Sequence, residues 1–512
     1  MNHFRRMIMH IPKHSKSYWK DHRAPLTFAP LDEDITVDVT VVGGGITGII
    51  TAWLLAKEGK KTALLESRKL MDGTTGYTTA KVTSQHGLVY DELIKTVGEE
   101  KARLYYEANE EAIAFFKKTT EQLAIDCDFT VQDAYVYAET KETMAQIEKE
   151  INAYEILGIN GGLAGTEARM KLPFKVEEAI VMRDQAQFHP VKFLEALIRD
   201  MADDVHIFEE TRAESIEQNK VNTTGGYTVS SEYIIVASHF PFNDFDGFYF
   251  SKLHVERSYA IGVKSDRQLE EGMYISADKP TRSLRYATME NGEKLLIVGG
   301  ENHPTGRSDR ETMRHYEELS DFTDRHFGVK DLVYRWSAQD LITLDRVPYI
   351  GVGHEHILVA TGYAKWGMTT GTAAAHLLTD LVMGRENRFA ELYDPGRLKL
   401  KPADVKTFAM ENAKVAKELI GGKLIGTVKT VEDLEPDSGG IVVVDGKKAG
   451  AYKDEQGRCY LVDTTCTHMG CETKWNDAER SWDCPCHGSR YSYDGAVIEG
   501  PAIEPLAKVE RG

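Results

Sequence analysis

Two short segments near the C-terminus concentrate side chains that bind metal. Cys466-Thr467-His468-Met469-Gly470-Cys471 and Cys484-Pro485-Cys486-His487-Gly488-Ser489 hold four of the six cysteines in the 512-residue chain. Each offers a thiolate and an imidazole, close enough to serve one centre together. A [2Fe–2S] cluster with two cysteines on one iron and two histidines on the other needs that supply. Neutral imidazoles leave such a cluster less negative, so it accepts an electron more easily. Structural zinc also accepts two cysteines and two histidines, but usually in C-x2-C and H-x3–5-H spacings. Here each segment mixes the two ligand types and carries a second cysteine that zinc does not need.

The pair is similar to the Rieske pattern C-x-H-x-G-C … C-x-C-H-G-S at every fixed position. The resemblance implies that Cys466, His468, Cys484 and His487 are the cluster ligands. It also implies that Cys471 and Cys486 form the disulfide tying the two loops. Ser489 and Tyr491 match the Rieske hydroxyls that donate to cluster or ligand sulfur, and Gly500-Pro501-Ala502 resembles the proline-bearing loop that covers the cluster.

A second chemistry is written near the N-terminus. A β-branched run at 36–42 leads into Gly43-Gly44-Gly45-Ile46-Thr47-Gly48, then a helical run at 49–58, then a strand at 62–65 ending at Glu66. Glycines at 43, 45 and 48 allow a tight turn and a close approach of pyrophosphate to a helix N-terminus. Glu66 suits a ribose diol and would repel a 2′-phosphate. The following stretch, 73–86, is rich in hydroxyls and small residues; a long loop at this point is more often functional than merely solvated. Much later, Asp345…Pro348…Gly351 and a strand at 357–360 lead through Gly362 and Gly367 into a helix at 370–383, as though the chain returns to the same cofactor.

Between these ends the pattern predicts amphipathic helices at 90–122, 141–157, 191–201 and 311–327. It predicts strands at 205–217, 226–237, 255–263, 282–289 and 294–298. Together these features resemble the D-amino-acid-oxidase-like family of FAD proteins over about 37–381. The resemblance implies an α/β fold: an FAD-binding Rossmann-like domain interrupted by a mixed-sheet substrate domain. It implies FAD contacts from Gly43, Gly45, Gly48, Glu66, Ala213, Gly362, Gly367, Met368 and Thr369. The chain departs from the pattern at one stretch. Amino-acid-oxidising members often carry Gly-Leu-Arg-Pro before the tail, with the arginine gripping a substrate carboxylate; here the stretch is Ser337-Ala338-Gln339-Asp340. Lys365 stands where some relatives have another arginine, but as a point charge rather than a fork. No cysteine lies near the tail, so no thioether link to the flavin is expected there.

The expected organisation is an arm at 1–34, the flavin module at 35–391, a connector at 392–424 with an amphipathic helix at 403–420, and an all-β Rieske domain at 425–512. His86, Arg285, Tyr363 and Lys365 are candidates for lining the substrate site. The expected activity is oxidation of a small organic substrate, an amine or amino-acid derivative, at FAD. Electrons would then pass singly through the cluster to an external protein or quinone-like acceptor. One alternative is NAD(P)H-driven reduction feeding an oxygenase, but only one G-x-G-x-x-G follows a strand. A redox sensor without turnover is the other, and nothing specific supports it. The net charge of −18 argues against nucleic acid or an anionic membrane as partner. No apolar run reaches the about eighteen residues of a spanning helix. The expected location is the cytoplasm, with Cys127 and Cys459 as free thiols.

Overall fold

The computed structural model describes residues 10–21, 26–242, 247–397 and 430–510. The connector helix expected at 403–420 lies outside the described residues.

The strand Ile35–Val42 is almost continuously β-branched because it is central, with a parallel neighbour on each side. Val39 and Val41 stand opposite Tyr233 and Ile235 on one side and Thr62 and Leu64 on the other. All-round burial suits a run without polar alternation. The sheet runs Tyr349–His354, Ile357–Thr361, Thr228–Val236, Ile35–Val42, Thr62–Leu65, Val205–Phe208, with the hairpin Ala213–Glu217 and Lys220–Thr223 beside Thr228–Val236. Strand order reverses at Ile35–Val42, so a crevice opens beyond its C-terminal end. The helices Ile46–Lys57 and Gly367–Val382 pack on this sheet, and their N-termini face the crevice.

A second sheet runs Val329–Thr343, Leu253–Ser265, Lys294–Pro304, Arg282–Thr288, Met273–Ser276, Thr130–Ala138, Glu178–Gln187, Lys81–Val82. It is mixed: Met273–Ser276 pairs parallel to Thr130–Ala138, and the other pairings are antiparallel. The described part of the arm is anchored on this layer. Trp19, 2 % exposed, donates from Nε1 to the Thr78 carbonyl at 2.7 Å, and Tyr18 donates to the Thr288 carbonyl at 2.8 Å.

Two local expectations are corrected. The helix expected over 90–122 is two, Tyr90–Val97 and Glu99–Gln122, broken at Gly98 with φ +91°. The strand expected over 205–217 is Val205–Phe208 and Ala213–Glu217. Between them the Glu209 carboxylate turns inward and accepts from the Leu70 and Phe28 amides at 2.8 and 3.1 Å.

The C-terminal region is two small antiparallel sheets, Ser438–Val444 with Lys447–Lys453 and Cys459–Val462, and Lys474–Asn476 with Ser481–Asp483, Arg490–Ser492 and Val497–Glu499. It is seated on the second large sheet. Asp477 caps the helix Met313–Phe327 of the flavin module, accepting from the Thr312 and Met313 amides at 2.8 and 3.2 Å; a carboxylate there satisfies orphan donors and complements the helix dipole. Arg335, fully buried, donates to the Lys13 and Ala478 carbonyls at 2.7 and 3.0 Å, joining arm, sheet and C-terminal region. Gly306 has φ +68°, and a Cβ there would lie 2.7 Å from the Pro485 nitrogen, so only glycine allows this approach to the second cysteine loop.

Candidate functional site

The glycine turn is built by close approach. A Cβ on Gly43 would sit 2.4 Å from the Ala237 carbonyl oxygen, and one on Gly48 would sit 1.9 Å from that of Gly43. The turn therefore holds its amides against the crevice with no side chains between. The Gly44 amide donates to Glu66 Oε2 at 2.8 Å; Glu66 Oε1 accepts from the Arg68 amide at 2.9 Å. Thr75, from the hydroxyl-rich loop, accepts from the Ile46 amide at 3.0 Å. This is a cradle that a Cβ would fill, with one carboxylate fixed at its end, and it fits a dinucleotide. The cavity here measures about 330 Å³.

Gly43, Gly45, Glu66, Ala213, Gly362, Gly367 and Met368 all lie on the cavity wall, with Tyr363 and Lys365. Gly48 and Thr369 stand behind it. Gly48 packs on the turn, and Thr369 Oγ1 donates to the Thr83 carbonyl at 3.0 Å. Tyr363 and Thr47 share a hydroxyl–hydroxyl hydrogen bond of 2.9 Å, which ties the tail to the first helix.

Two of the four expected lining residues stand away from the wall. His86 spends both ring nitrogens, on Tyr105 Oη at 2.6 Å and the Thr83 carbonyl at 2.8 Å, and stacks on Trp366 at 4.7 Å. Burial lowers its pKa to about 3, so it is a neutral support behind Trp366. Arg285 donates to the Thr79 and Ala80 carbonyls and lies over the Trp19 ring, so its guanidinium holds the hydroxyl-rich loop in place.

Two further titratable residues, Lys81 and Asp340, stand on the wall without a local sequence motif. Lys81, 9 % exposed, donates from Nζ to Ser283 Oγ; burial, with Arg285 nearby, lowers its pKa to about 7. A lysine placed inward on a short buried strand is the signal that could have found it. Asp340 is 8 % exposed, and burial raises its carboxyl to about 6. Part of the wall comes from the C-terminal region: Ile498 to Ile503, which includes the Gly500-Pro501-Ala502 loop. Nothing in local periodicity points to that contact.

The two cysteine loops face each other. In the first, the Cys466 amide donates to the Cys471 carbonyl at 2.7 Å. In the second, the Gly488 amide donates to the Cys484 carbonyl at 3.1 Å. A disulfide joins Cys471 to Cys486, with Cα atoms 6.5 Å apart. Cys484 Sγ lies within 4.8 Å of both disulfide sulfurs. That trio is no metal site of its own, because two of its sulfurs are spent on each other. Cys466 and Cys484 are buried free thiols, and the His468 and His487 rings meet edge-on at 5.1 Å. Burial lowers both histidines to about 4, which keeps the neutral form that ligates metal. His487 Nδ1 is buried with no hydrogen-bond partner among the described residues. An orphaned buried nitrogen beside two thiols fits a ligand set, and the residues present fit a [2Fe–2S] cluster. Tyr491 Oη lies 3.1 Å from Cys466 Sγ, within hydrogen-bond reach. Ser489 Oγ accepts from the Ala502 amide at 3.1 Å, so it holds the loop that walls the cavity. Phe250 sets its ring against both imidazoles at 5.0 Å.

Comparison with known proteins agrees with this geometry. The family described as FAD dependent oxidoreductase matches residues 38–381, and the Rieske [2Fe-2S] domain matches residues 425–510. The chain is 44 % identical over 502 residues to YhfW of Bacillus subtilis (strain 168), named as a Rieske 2Fe-2S iron-sulfur protein, covering 97 % of each chain. It is 25 % identical over 401 residues to gamma-glutamylputrescine oxidoreductase of Escherichia coli (strain K12), covering 74 % of this chain and 91 % of that protein. The structure of glycine oxidase from Geobacillus kaustophilus superposes with a TM-score of 0.59 at 20 % identity, covering 71 % of this chain and 99 % of the other; at that identity the likeness shows the fold. Among the described residues no helix is long and apolar enough to cross a membrane. The chain belongs to the FAD dependent oxidoreductase family and carries a Rieske [2Fe-2S] domain on the same polypeptide: it is an oxidoreductase whose cofactors are FAD and a [2Fe–2S] cluster.

Proposed function

We propose that the protein oxidises a small amine or amino-acid derivative in the cavity and passes the electrons, one at a time, through the Rieske centre to an external acceptor. One observation carries the in-chain relay. The loop that Ser489 holds beside the cysteine pair is also a wall of the flavin cavity. Donor and acceptor thus share a boundary, and covalent fusion keeps them at high effective concentration.

Bound FAD supplies hydride acceptance followed by single-electron release, and the cluster supplies one-electron carriage. The chain's own residues do the rest. Cys466, His468, Cys484 and His487 hold the iron. Glu66 and the Gly43–Gly48 turn bind the dinucleotide. The Tyr363–Thr47 bond fixes the tail against the first helix. The Gly500–Ala502 loop walls the cavity and limits water entry. Lys81, near-neutral and inside the wall, can take up at Nζ the proton that an ammonium loses before oxidation. The amine side of the reading draws support from the relative named for gamma-glutamylputrescine. A cytoplasmic setting fits an acidic chain with two cysteines, Cys127 and Cys459, outside both the disulfide and the cluster ligand set.

The test is anaerobic titration of the holoenzyme with amines, N-methylated amino acids, NADH and NADPH. Bleaching of the flavin by members of the first two classes supports the reading. Bleaching by NAD(P)H alone reverses the direction of flow and overturns it.

A further inference from the structure

Resting on that oxidative reading, we propose that Asp340 is the recognition carboxylate of the cavity, and that the substrate it selects is a cationic amine with no carboxylate beside the reacting carbon.

On the strand Val329–Thr343 the adjacent Gln339 and Asp340 face opposite sides. Gln339 turns to the Rieske domain and donates to the Gly488 carbonyl at 2.9 Å, and Asp340 turns to the cavity. The residue is 8 % exposed, and it lies on the cavity wall. Among the described residues it accepts no hydrogen bond and joins no ion pair. A buried carboxylate without a partner is costly unless something else completes it. An ammonium group does so.

The cations that an anionic substrate would need are committed elsewhere. Lys365 Nζ lies 2.8 Å from Glu256 Oε2. Arg257 is buried between Glu479 and Glu499, at 3.7 and 3.8 Å. Lys81 remains on the wall, but burial keeps it near-neutral, suited to taking a proton rather than holding an anion. Gln339, in the stretch where a carboxylate-gripping arginine would stand, is neutral and spent on the Rieske domain. This end of the cavity therefore favours positive charge.

The charged groups that act on Asp340 set the pH range. Burial raises its pKa to about 6; Lys365 and Arg257 oppose the rise, while Glu256 and Glu499 add to it. Cation binding needs the ionised form, so affinity falls as pH drops through that value.

The experiment uses the full-length holoenzyme and two non-reacting probes, butyltrimethylammonium and butyrate, read by perturbation of flavin absorption. The ammonium is expected to bind and butyrate not. Asp340→Asn should weaken ammonium binding on the order of ten- to hundredfold, with flavin content unchanged, and Asp340→Glu should retain most of it. Equal ammonium binding in Asp340→Asn, or tighter binding of butyrate than of the ammonium by the wild type, overturns the proposal. Anaerobic titration with butylamine and 2-aminobutyrate separates it from the oxidative reading. Asp340-dependent ammonium binding with no bleaching by any amine keeps the recognition site and removes the oxidation. Bleaching by butylamine at the same concentrations in Asp340→Asn keeps the oxidation and removes the site.

Discussion

Gln339 Nε2 donates to the Gly488 carbonyl at 2.9 Å, across 149 residues of sequence. The same side chain accepts from Thr305 Oγ1 at 2.8 Å, and the Gln339 backbone carbonyl accepts from Thr74 Oγ1 at 3.2 Å. Thr74 lies on the cavity wall, and Gly488 follows the ligand candidate His487. A short hydrogen-bonded path thus links the flavin pocket to the cluster loops. Gln339→Leu leaves the Gly488 carbonyl and the Thr305 hydroxyl without this partner. It should cost about 1–3 kcal/mol and slow flavin-to-cluster transfer while substrate reduction of the flavin changes little. Thermal melts and rapid mixing check the two halves separately.

Tyr491 hydrogen-bonds to the Cys466 thiol, and Ser489 lies beside it; Cys484 foremost, and Ser489 also, lower its pKa. Donors to a ligand sulfur stabilise the more negative, reduced cluster. Tyr491→Phe and Ser489→Ala should therefore each lower the midpoint potential, read by redox titration of the paramagnetic signal. An unchanged potential in both variants contradicts the assigned hydroxyl roles.

Asp340 has its carboxyl raised from 3.8 to about 6, by burial first. The sign follows from linkage: the folded state binds this proton more tightly than the unfolded state. Stability from this group is complete below the unfolded value and is lost as pH rises through about 6. Ionised Asp340 then costs about 3 kcal/mol in the free enzyme. Asp340→Asn should therefore melt at a higher temperature than wild type at about pH 8, and the gain should shrink as pH falls below 6. A variant less stable than wild type at pH 8 would show that the carboxylate is already paired.

Arg257 is 2 % exposed and stands between Glu479 and Glu499 of the Rieske domain; Arg490 meets Asp483 and Glu499 at 3.0 Å each. Such buried pairs add little net stability but are costly to break singly. Arg257→Met should destabilise the seated arrangement by about 3–5 kcal/mol and expose the C-terminal region to proteolysis before the flavin module. Equal protease resistance would mean that the seat does not depend on this network.

Much of the cofactor machinery is local, and local patterns are readable. The cysteine boxes, the glycine turn and the β-branched strand leading to it declare themselves within short windows, since ligand spacing and turn geometry act over a few residues. The strands Thr130–Ala138, Glu178–Gln187 and Val329–Thr343 carry no clear strand signal in local sequence. Each mixes charged and aromatic residues whose alternation is set by sheet neighbours far along the chain. His86 and Arg285 have chemistry that suits a site. Their hydrogen bonds to Thr83, Thr79 and Ala80 show structural duty instead. Asp340, Lys81 and the Rieske wall of the cavity depend on long-range docking, which no spacing rule encodes.

Anaerobic rapid mixing of the holoenzyme with substrate reads the relay through the chain. Flavin and cluster bands are followed together over a range of protein concentrations. The cluster should bleach after the flavin, at a rate independent of protein concentration. A cluster that bleaches first, or only at a rate rising with protein concentration, would contradict the relay.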